Sequence, residues 1–129
     1  MTDIRPKTIF CDIDGTLIKH NRPGNLCKSD TEILEGTIEK LHEWDKKGYN
    51  IILTTGRKES LRKATEEQMR SCGIFYDQLI MGIGGGIRVV INDLKPDENF
   101  ETALAINLVR NKGVKNVNIW KKYIRARRF

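Results

Sequence analysis

The chain has 129 residues, 39% of them hydrophobic and 31% charged, with a formal net charge of +6 at pH 7. A chain of that length supplies one domain with a single core over 1–129, and no apolar stretch approaches the roughly 20 residues of a membrane-spanning helix. Its three cysteines lack metal-binding spacing and its N-terminus lacks an apolar signal segment. We therefore expect a cytoplasmic protein with reduced thiols and no membrane association.

The first predicted strand ends in two carboxylates. The apolar run 8–11 is followed by Asp12, Ile13, Asp14 and Gly15. Because alternate side chains of an extended chain share a face, the two acids would point the same way, about 6 to 7 Å apart. Two acids at that distance favour a bound cation, and a glycine permits the sharp turn that exposes them. A solvated turn rich in Asp and Gly is the alternative.

Beyond this first strand, the apolar residues follow two kinds of pattern. Helical spacing, with a glycine after each segment, predicts helices at 31–47, 59–72 and 100–112. Apolar or β-branched runs predict further strands at 49–53, 78–81, 88–93 and 114–120. Strands that alternate with helices predict an α/β, doubly wound fold around a parallel sheet of about five strands.

Polar residues follow two of the later strands. Thr55 and Gly56 come directly after the second strand, where a hydroxyl and backbone N–H groups can bind phosphoryl oxygens. Arg57 is next to them, and it either reaches a substrate phosphate or pairs with an acid at the surface. Asp93 ends the β-branched run that follows the third strand. In open α/β sheets these strand ends form the edge at which ligands bind.

The pattern DxDGT at 12–16 resembles the first motif of the haloacid dehalogenase (HAD) superfamily, whose members are mostly magnesium-dependent phosphatases. Thr55 and Asp93 resemble the second and fourth motifs, so the resemblance covers residues 7 to about 113. It implies a Rossmann-like HAD core without a cap domain, because the segment 17–29 is too short to form one.

The resemblance also implies a mechanism. Asp12 would be the nucleophile that takes the phosphoryl group as an aspartyl phosphate. Asp14 would be the general acid for the leaving oxygen and then the base for water. Mg2+ would be the cofactor, with Asp12, Asp14 and Asp93 as its ligands. Thr55 and Gly56 would bind the phosphate.

The third motif of the family, a lysine or arginine that neutralises the phosphate, departs from its usual Gly-Lys-Pro form. The corresponding stretch 82–86 reads Gly-Ile-Gly-Gly-Gly. Arg88 or Lys95 would take the place of the lysine, with Arg88 slightly preferred. Asn92 stands where many members have a second acid, and Asp97 would serve either as a supporting acid or as a surface residue.

Positive charge is concentrated at one end of the chain. Residues 121–129 contain five lysines and arginines and no acid, whereas the rest of the chain carries 18 basic and 17 acidic residues. This basic tail could contact a polyanion, attract an anionic substrate, pair with a second copy in a homo-oligomer or remain solvated. The cations of the loop 19–24 could bind a second anionic group of the substrate, or the loop is a solvated hairpin.

We therefore expect a Mg2+-dependent phosphomonoester hydrolase, with a small phosphorylated metabolite such as a sugar phosphate as the favoured substrate. One alternative is a polynucleotide 3'-phosphatase, since phosphatase domains of this superfamily occur in end-repair enzymes and the basic, aromatic-bearing tail could hold a strand. The other is a noncatalytic protein that binds phosphate or a partner, for which the missing lysine and Asn92 argue.

Overall fold

The computed structural model describes residues 5–20, 31–96 and 101–119. Within these ranges, strands and helices alternate in the order β1, α1, β2, α2 and β3. Their bounds are Thr8–Asp12 for β1, Thr37–Lys46 for α1, Asn50–Thr54 for β2, Arg62–Cys72 for α2 and Gln78–Ile80 for β3, and a 3-10 turn at Glu59–Leu61 leads into α2. No helix in these ranges is long and apolar enough to cross a membrane.

The strands form one parallel sheet in the order β1, β2, β3. Asp12 at the end of β1 pairs with Thr54 at the end of β2, which pairs in turn with Ile80 at the end of β3. This register places all three carboxyl ends at one edge of the sheet, where open α/β proteins bind their ligands. The prediction of an α/β fold with a parallel sheet is confirmed.

A stripe of side chains at helical spacing holds α1 in the core. Thr37, Leu41 and Trp44 are buried, and the Thr37 hydroxyl donates to a carbonyl of the turn after β1 over 2.7 Å. Gly36 precedes the helix with a φ of 87°, and a Cβ there would lie 2.6 Å from the Lys115 Cα, so only glycine fits. The apolar core contains Ile13, Leu17, Ile18, Leu41, Ile51, Leu53, Met69, Ile74, Leu79, Val114 and Val117.

The first two predicted helices are confirmed in their central parts and begin later than predicted. α1 starts at Thr37 because the preceding segment pairs with the chain after β1, where Ile33 forms an antiparallel bridge with Ile18. α2 buries Thr65, whereas Ala64, which helical spacing placed on the apolar face, is exposed. The buried face of α2 thus carries a polar residue, and this residue contributes to the site described below.

The later predicted elements are absent from the described part of the chain. Residues 88–93 form no strand, 101–112 no helix and 114–119 no strand, so the described sheet has three strands and the predicted five are not confirmed. The apolar side chains of 87–91 and 103–109 face solvent, with Ile87 95% and Ile91 89% exposed, whereas Val114 and Val117 are buried in the core. β-Branched composition favours a strand only beside a neighbouring strand, and a short helix needs an apolar face packed on a core. In the described part of the chain, residues 88–93 have no neighbouring strand and residues 101–112 have no apolar face packed on the core.

Candidate active site

A tight turn after β1 sets the position of the first acid. The Ile13 side chain is fully buried, and its carbonyl accepts the N–H groups of three following residues, the shortest bond being 2.9 Å from Leu17. Gly15 takes a φ of 85°, which few other residues adopt, and donates its N–H to the Ile18 carbonyl over 2.7 Å. The chain therefore reverses within a few residues, and Asp12 is left exposed at the end of its strand.

Asp12 has the electrostatics of a carboxylate that attracts a cation or an electrophile. Protein around the inner side of this exposed group removes part of its hydration, and this partial burial raises the pKa of Asp12 above its ordinary value. A hydrogen bond from the Ile13 N–H lowers that pKa, the Asp14 charge raises it, and the Arg88 charge lowers it. The Thr16 hydroxyl donates to Oδ2 over 3.4 Å and lowers it further. Burial of the carboxylate thus outweighs the groups that lower its pKa.

Asp14 points inward and forms a two-pronged ion pair with Arg57. Nε of Arg57 donates to Oδ2 over 2.9 Å, and Nη2 donates to Oδ1 over 2.8 Å. The Arg57 side chain is 2% exposed and that of Asp14 16%, so the pair lies almost entirely inside the protein. Each carboxylate oxygen has two lone-pair directions, and this arginine occupies one on each. Asp14 is thus fixed in orientation while one direction on each oxygen stays open.

Residues of α2 accept further hydrogen bonds from the arginine. Nη1 of Arg57 donates to the Thr65 hydroxyl over 3.0 Å and to Oε1 of Gln68 over 2.8 Å. Gln68 in turn donates to the Thr31 hydroxyl over 2.7 Å. The sequence left open whether Arg57 reaches substrate or pairs with a surface acid. The structure shows an ion pair with an acid, but a buried one inside the site.

The end of β2 brings Thr55 and Gly56 to the same edge. Thr55 is buried, donates its backbone N–H to the Ile80 carbonyl over 3.0 Å and accepts the Arg57 N–H at its hydroxyl over 3.1 Å. The hydroxyl keeps its own proton for donation. Gly56 is exposed, and a Cβ there would lie 2.7 Å from the Gly84 carbonyl oxygen. The glycine-rich segment 82–86 therefore packs against the end of β2.

Arg88 is the cation that acts electrostatically on Asp12. Its charge lowers the pKa of Asp12, and its Nη1 donates to the Gly86 carbonyl. Lys95 is half-buried and is not among the charges that shift that pKa. Of the two replacements that the sequence offered for the family's lysine, Arg88 is the one whose charge acts on Asp12, and its role in the site stays a prediction.

The contacts of Asp93 are with the chain that follows it. It is exposed, and its backbone carbonyl accepts the Thr102 hydroxyl over 2.9 Å, while the Asn92 amide donates to the Thr102 carbonyl over 3.3 Å. Over 5–20, 31–96 and 101–119, no group of three acidic, histidine or cysteine side chains is placed to hold a metal ion. The predicted ligand set Asp12, Asp14 and Asp93 is therefore not assembled in the structure.

A magnesium ion can nevertheless fit at Asp12. Mg2+ commonly keeps several waters and is held in phosphate-transfer sites by one or two carboxylates together with the substrate's own phosphate. Asp12 offers exposed carboxylate oxygens of this kind. The carboxylate of Asp14 is engaged by Arg57 on both oxygens, which makes Asp12 the main protein ligand that the described geometry supports.

Two residues that sequence reasoning did not single out contact the catalytic turn. The Asn111 N–H donates to the Gly15 carbonyl over 2.8 Å, and Oδ1 of Asn111 accepts the His20 N–H over 2.8 Å. The side chain of Arg110 lies against Gly15. Asn111 adopts a φ of 67°, a conformation in which Asn is enriched, but no sequence pattern links it to His20, which lies 91 residues earlier.

Several predicted features fall outside the described residues. These are Asp97, most of the loop 19–24 and the basic tail 121–129. Their predicted contributions to the site stay predictions.

A family model described as the polynucleotide kinase PNKP phosphatase domain matches residues 6–112. A chain in a structure of the Pnkp1/Rnl/Hen1 RNA repair complex is 30% identical, with a TM-score of 0.51, over 59% of this chain and 25% of that one. A chain of a second Pnkp1/Rnl/Hen1 complex is 27% identical, with a TM-score of 0.53, over 69% of this chain and 32% of that one. This chain thus spans about a quarter to a third of the length of those repair proteins.

A structural-genomics target from Vibrio cholerae shares the fold, with 20% identity and a TM-score of 0.50 over 65% of this chain and 79% of that one. No curated protein matches the chain. The family match covers the whole described site, from the strand before Asp12 to Asn111.

Proposed function

We propose that this protein removes the terminal 3'-phosphate from a nucleic acid strand. The premise is that the chain belongs to the family of the polynucleotide kinase PNKP phosphatase domain within the HAD superfamily. The resemblance of its motifs to HAD phosphatases is confirmed by this membership. The sequence alone favoured a small metabolite such as a sugar phosphate. The family match and the likeness to chains of an RNA repair complex favour the polynucleotide alternative.

One observation carries the proposal. At the carboxyl edge of the sheet, an exposed Asp12 lies two residues from an Asp14 whose orientation is fixed by Arg57. The two carboxylates therefore have different environments, and such a difference separates a nucleophile from an acid–base group. Hydrolysis through a covalent intermediate needs both groups, whereas phosphate binding alone needs neither a free nucleophile nor a fixed proton carrier.

The chemistry starts with Asp12. A carboxylate oxygen attacks phosphorus in line with the leaving oxygen, and the phosphorus–oxygen bond to the substrate breaks as the bond to Asp12 forms. Asp14 takes up a proton from solvent as substrate binds and passes it to the departing oxygen through one of the directions that Arg57 leaves open. In the second half, Asp14 takes a proton from water, the water oxygen attacks phosphorus, and the aspartyl phosphate is hydrolysed.

The end of β2 and the glycine-rich segment bind the phosphoryl oxygens in this proposal. The Thr55 hydroxyl and the backbone at Gly56 present donors at the edge where Asp12 lies, and Arg88 adds positive charge. Mg2+, held by Asp12, would supply a Lewis acid that withdraws charge from the phosphoryl oxygens.

Phosphate release from a substrate panel tests the proposal. The panel contains 3'-phosphorylated RNA and DNA oligonucleotides, nucleoside 3'-monophosphates and sugar phosphates, each with Mg2+ and with a chelator. Asp12→Asn is the catalytic blank, and Asp45→Asn, at an exposed acid of α1, is the matched control. We expect Mg2+-dependent release from 3'-phosphorylated ends, unchanged in Asp45→Asn and abolished in Asp12→Asn. Release confined to sugar phosphates would overturn the substrate assignment, and release by Asp12→Asn would overturn the nucleophile.

A further inference from the structure

Asn111 anchors a distant part of the chain to the turn between the two catalytic acids and the loop that follows. Its backbone N–H and its side-chain oxygen form two 2.8 Å hydrogen bonds, one to the Gly15 carbonyl and one from the His20 N–H. Its left-handed φ of 67° is maintained by these contacts. The backbone at this position is therefore fixed relative to Asp14, which directly precedes Gly15.

The anchor holds the side chain of Arg110 across the same turn. A Cβ at Gly15 would lie 3.1 Å from Cγ and 3.8 Å from Cδ of Arg110, so the arginine's aliphatic stem rests on the face that glycine leaves free. Arg110 is exposed and forms no ion pair with any residue that the structure describes. Gly15 thus serves two needs, the turn itself and the space for this stem.

The position of Arg110 differs from that of the other cations. Arg57 forms an ion pair with Asp14, and the charge of Arg88 lowers the pKa of Asp12. Arg110 is not among the charges that act on Asp12. In the proposed mechanism, Asp14 protonates the leaving oxygen, so the body of the substrate lies on the side of Asp14. Because Gly15 directly follows Asp14, the stem of Arg110 lies next to that acid, and in this proposal its exposed guanidinium extends toward the substrate beyond the phosphate that is removed.

We infer that Arg110 is a specificity-determining residue that binds a second anionic group of the substrate, the phosphodiester adjacent to the terminal nucleotide. The planar guanidinium donates two parallel hydrogen bonds to phosphate oxygens and keeps its charge at any working pH. This inference rests on the proposed function and adds a reason why a strand is preferred over a single nucleotide.

A comparison of two substrates isolates this contact. A dinucleotide with a 3'-phosphate contains one phosphodiester, and the nucleoside 3'-monophosphate has the same leaving group without it. The variants are Arg110→Gln, Arg110→Lys and, as a matched loss of charge, Lys46→Gln. Lys46 is exposed in the last turn of α1, shortly before β2 begins, and therefore lies toward the opposite edge of the sheet from the site.

We expect Arg110→Gln to lower kcat/KM for the dinucleotide about tenfold, mainly through KM, because one charge-assisted contact is lost. The mononucleotide should stay within about twofold, and the dependence of log kcat/KM on log salt for the dinucleotide should weaken by about 0.7. Arg110→Lys should recover part of the loss, and Lys46→Gln should match the unaltered protein on both substrates. Thermal unfolding of each variant checks that the fold is kept.

The inference and the proposed function fail in different ways. Equal losses on both substrates, or no loss on either, would overturn the role of Arg110 while leaving the 3'-phosphatase intact. If the unaltered protein releases phosphate from sugar phosphates and from neither nucleotide substrate, the proposed function fails and the inference fails with it.

Discussion

Replacing Arg57 by Gln tests the central arrangement of the site. The change removes both prongs of the ion pair with Asp14 and leaves that carboxylate without its charged partner. Loss of one member of a buried ion pair costs about 3 to 5 kcal/mol. The Asp14 side chain keeps 16% exposure, so water can partly replace the arginine, and we expect a loss at the lower end, about 3 kcal/mol. For a domain of this size that corresponds to a decrease in Tm of roughly 10 °C.

Arg70→Gln is the matched control for this measurement. Arg70 pairs with Glu67 over 2.7 Å, much as Arg57 pairs with Asp14 over 2.8 Å. The side chains of Arg70 and Glu67, however, are 75% and 65% exposed. Exposed pairs contribute about 0 to 1 kcal/mol, so the control should lose at most about 3 °C. Thermal unfolding followed by circular dichroism, without added metal, compares the two variants directly.

Two further variants separate charge from geometry. Arg57→Lys keeps the positive charge but lacks the fork that binds both Asp14 oxygens, so turnover should fall more for an alkyl phosphate than for an aryl phosphate, whose leaving oxygen needs little protonation. Arg57→Gln combined with Asp14→Asn should recover part of the lost stability, because no unpaired charge is then buried. A melting temperature of Arg57→Gln within about 3 °C of the unaltered protein would refute the reasoning.

Three other predictions concern the same edge of the sheet. Arg88→Gln should lower kcat roughly a hundredfold, as loss of one donor to developing charge does, whereas Lys95→Gln should stay within about twofold, and the reverse ranking would assign the role to the lysine. Gly56→Ala should reduce kcat/KM because its Cβ would lie 2.7 Å from a carbonyl oxygen. A Cβ at Gly85 would have no atom within 4 Å, so Gly85→Ala should remain active. Equal activities of the two variants would show that the glycine-rich segment shifts to make room for the Cβ at Gly56. Burial raises the pKa of the Cys11 thiol to about 12, so about one thiol in ten thousand is ionised at pH 8, and iodoacetamide labelling read by mass spectrometry should be rapid there only after unfolding.

Local sequence was sufficient for the acidic strand end. An apolar run followed by Asp12, Asp14 and Gly15 defines a strand and a sharp turn after it, and each of these depends on neighbouring residues alone. The position of Thr55 at the same edge of the sheet as Asp12 follows from one further rule, that parallel strands end at a common edge. These features could be predicted because short-range geometry and strand direction determine them.

The partners of these residues could not be predicted in the same way. Arg57 and Asp14 are 43 residues apart, and their pairing depends on α2, which supplies Thr65 and Gln68 to the other side of the guanidinium. The strand predicted at 88–93 is absent for a related reason, since the composition of this segment fits a strand but a strand also requires a neighbouring strand to pair with. Both outcomes depend on tertiary packing, which the local pattern does not contain.

The charges of the described site explain why a phosphatase here would need a divalent cation. Arg57 neutralises Asp14, and Arg88 is the positive charge that acts on Asp12, so the two acids and the two arginines balance before substrate binds. A terminal phosphate adds about two negative charges near neutral pH. Because Arg110 lies beside Gly15 rather than among the charges that act on Asp12, it does not compensate the reacting group. A dication at Asp12 would compensate the two negative charges of the phosphate. Because the family's usual lysine is absent from the segment 82–86, this compensation matters more here.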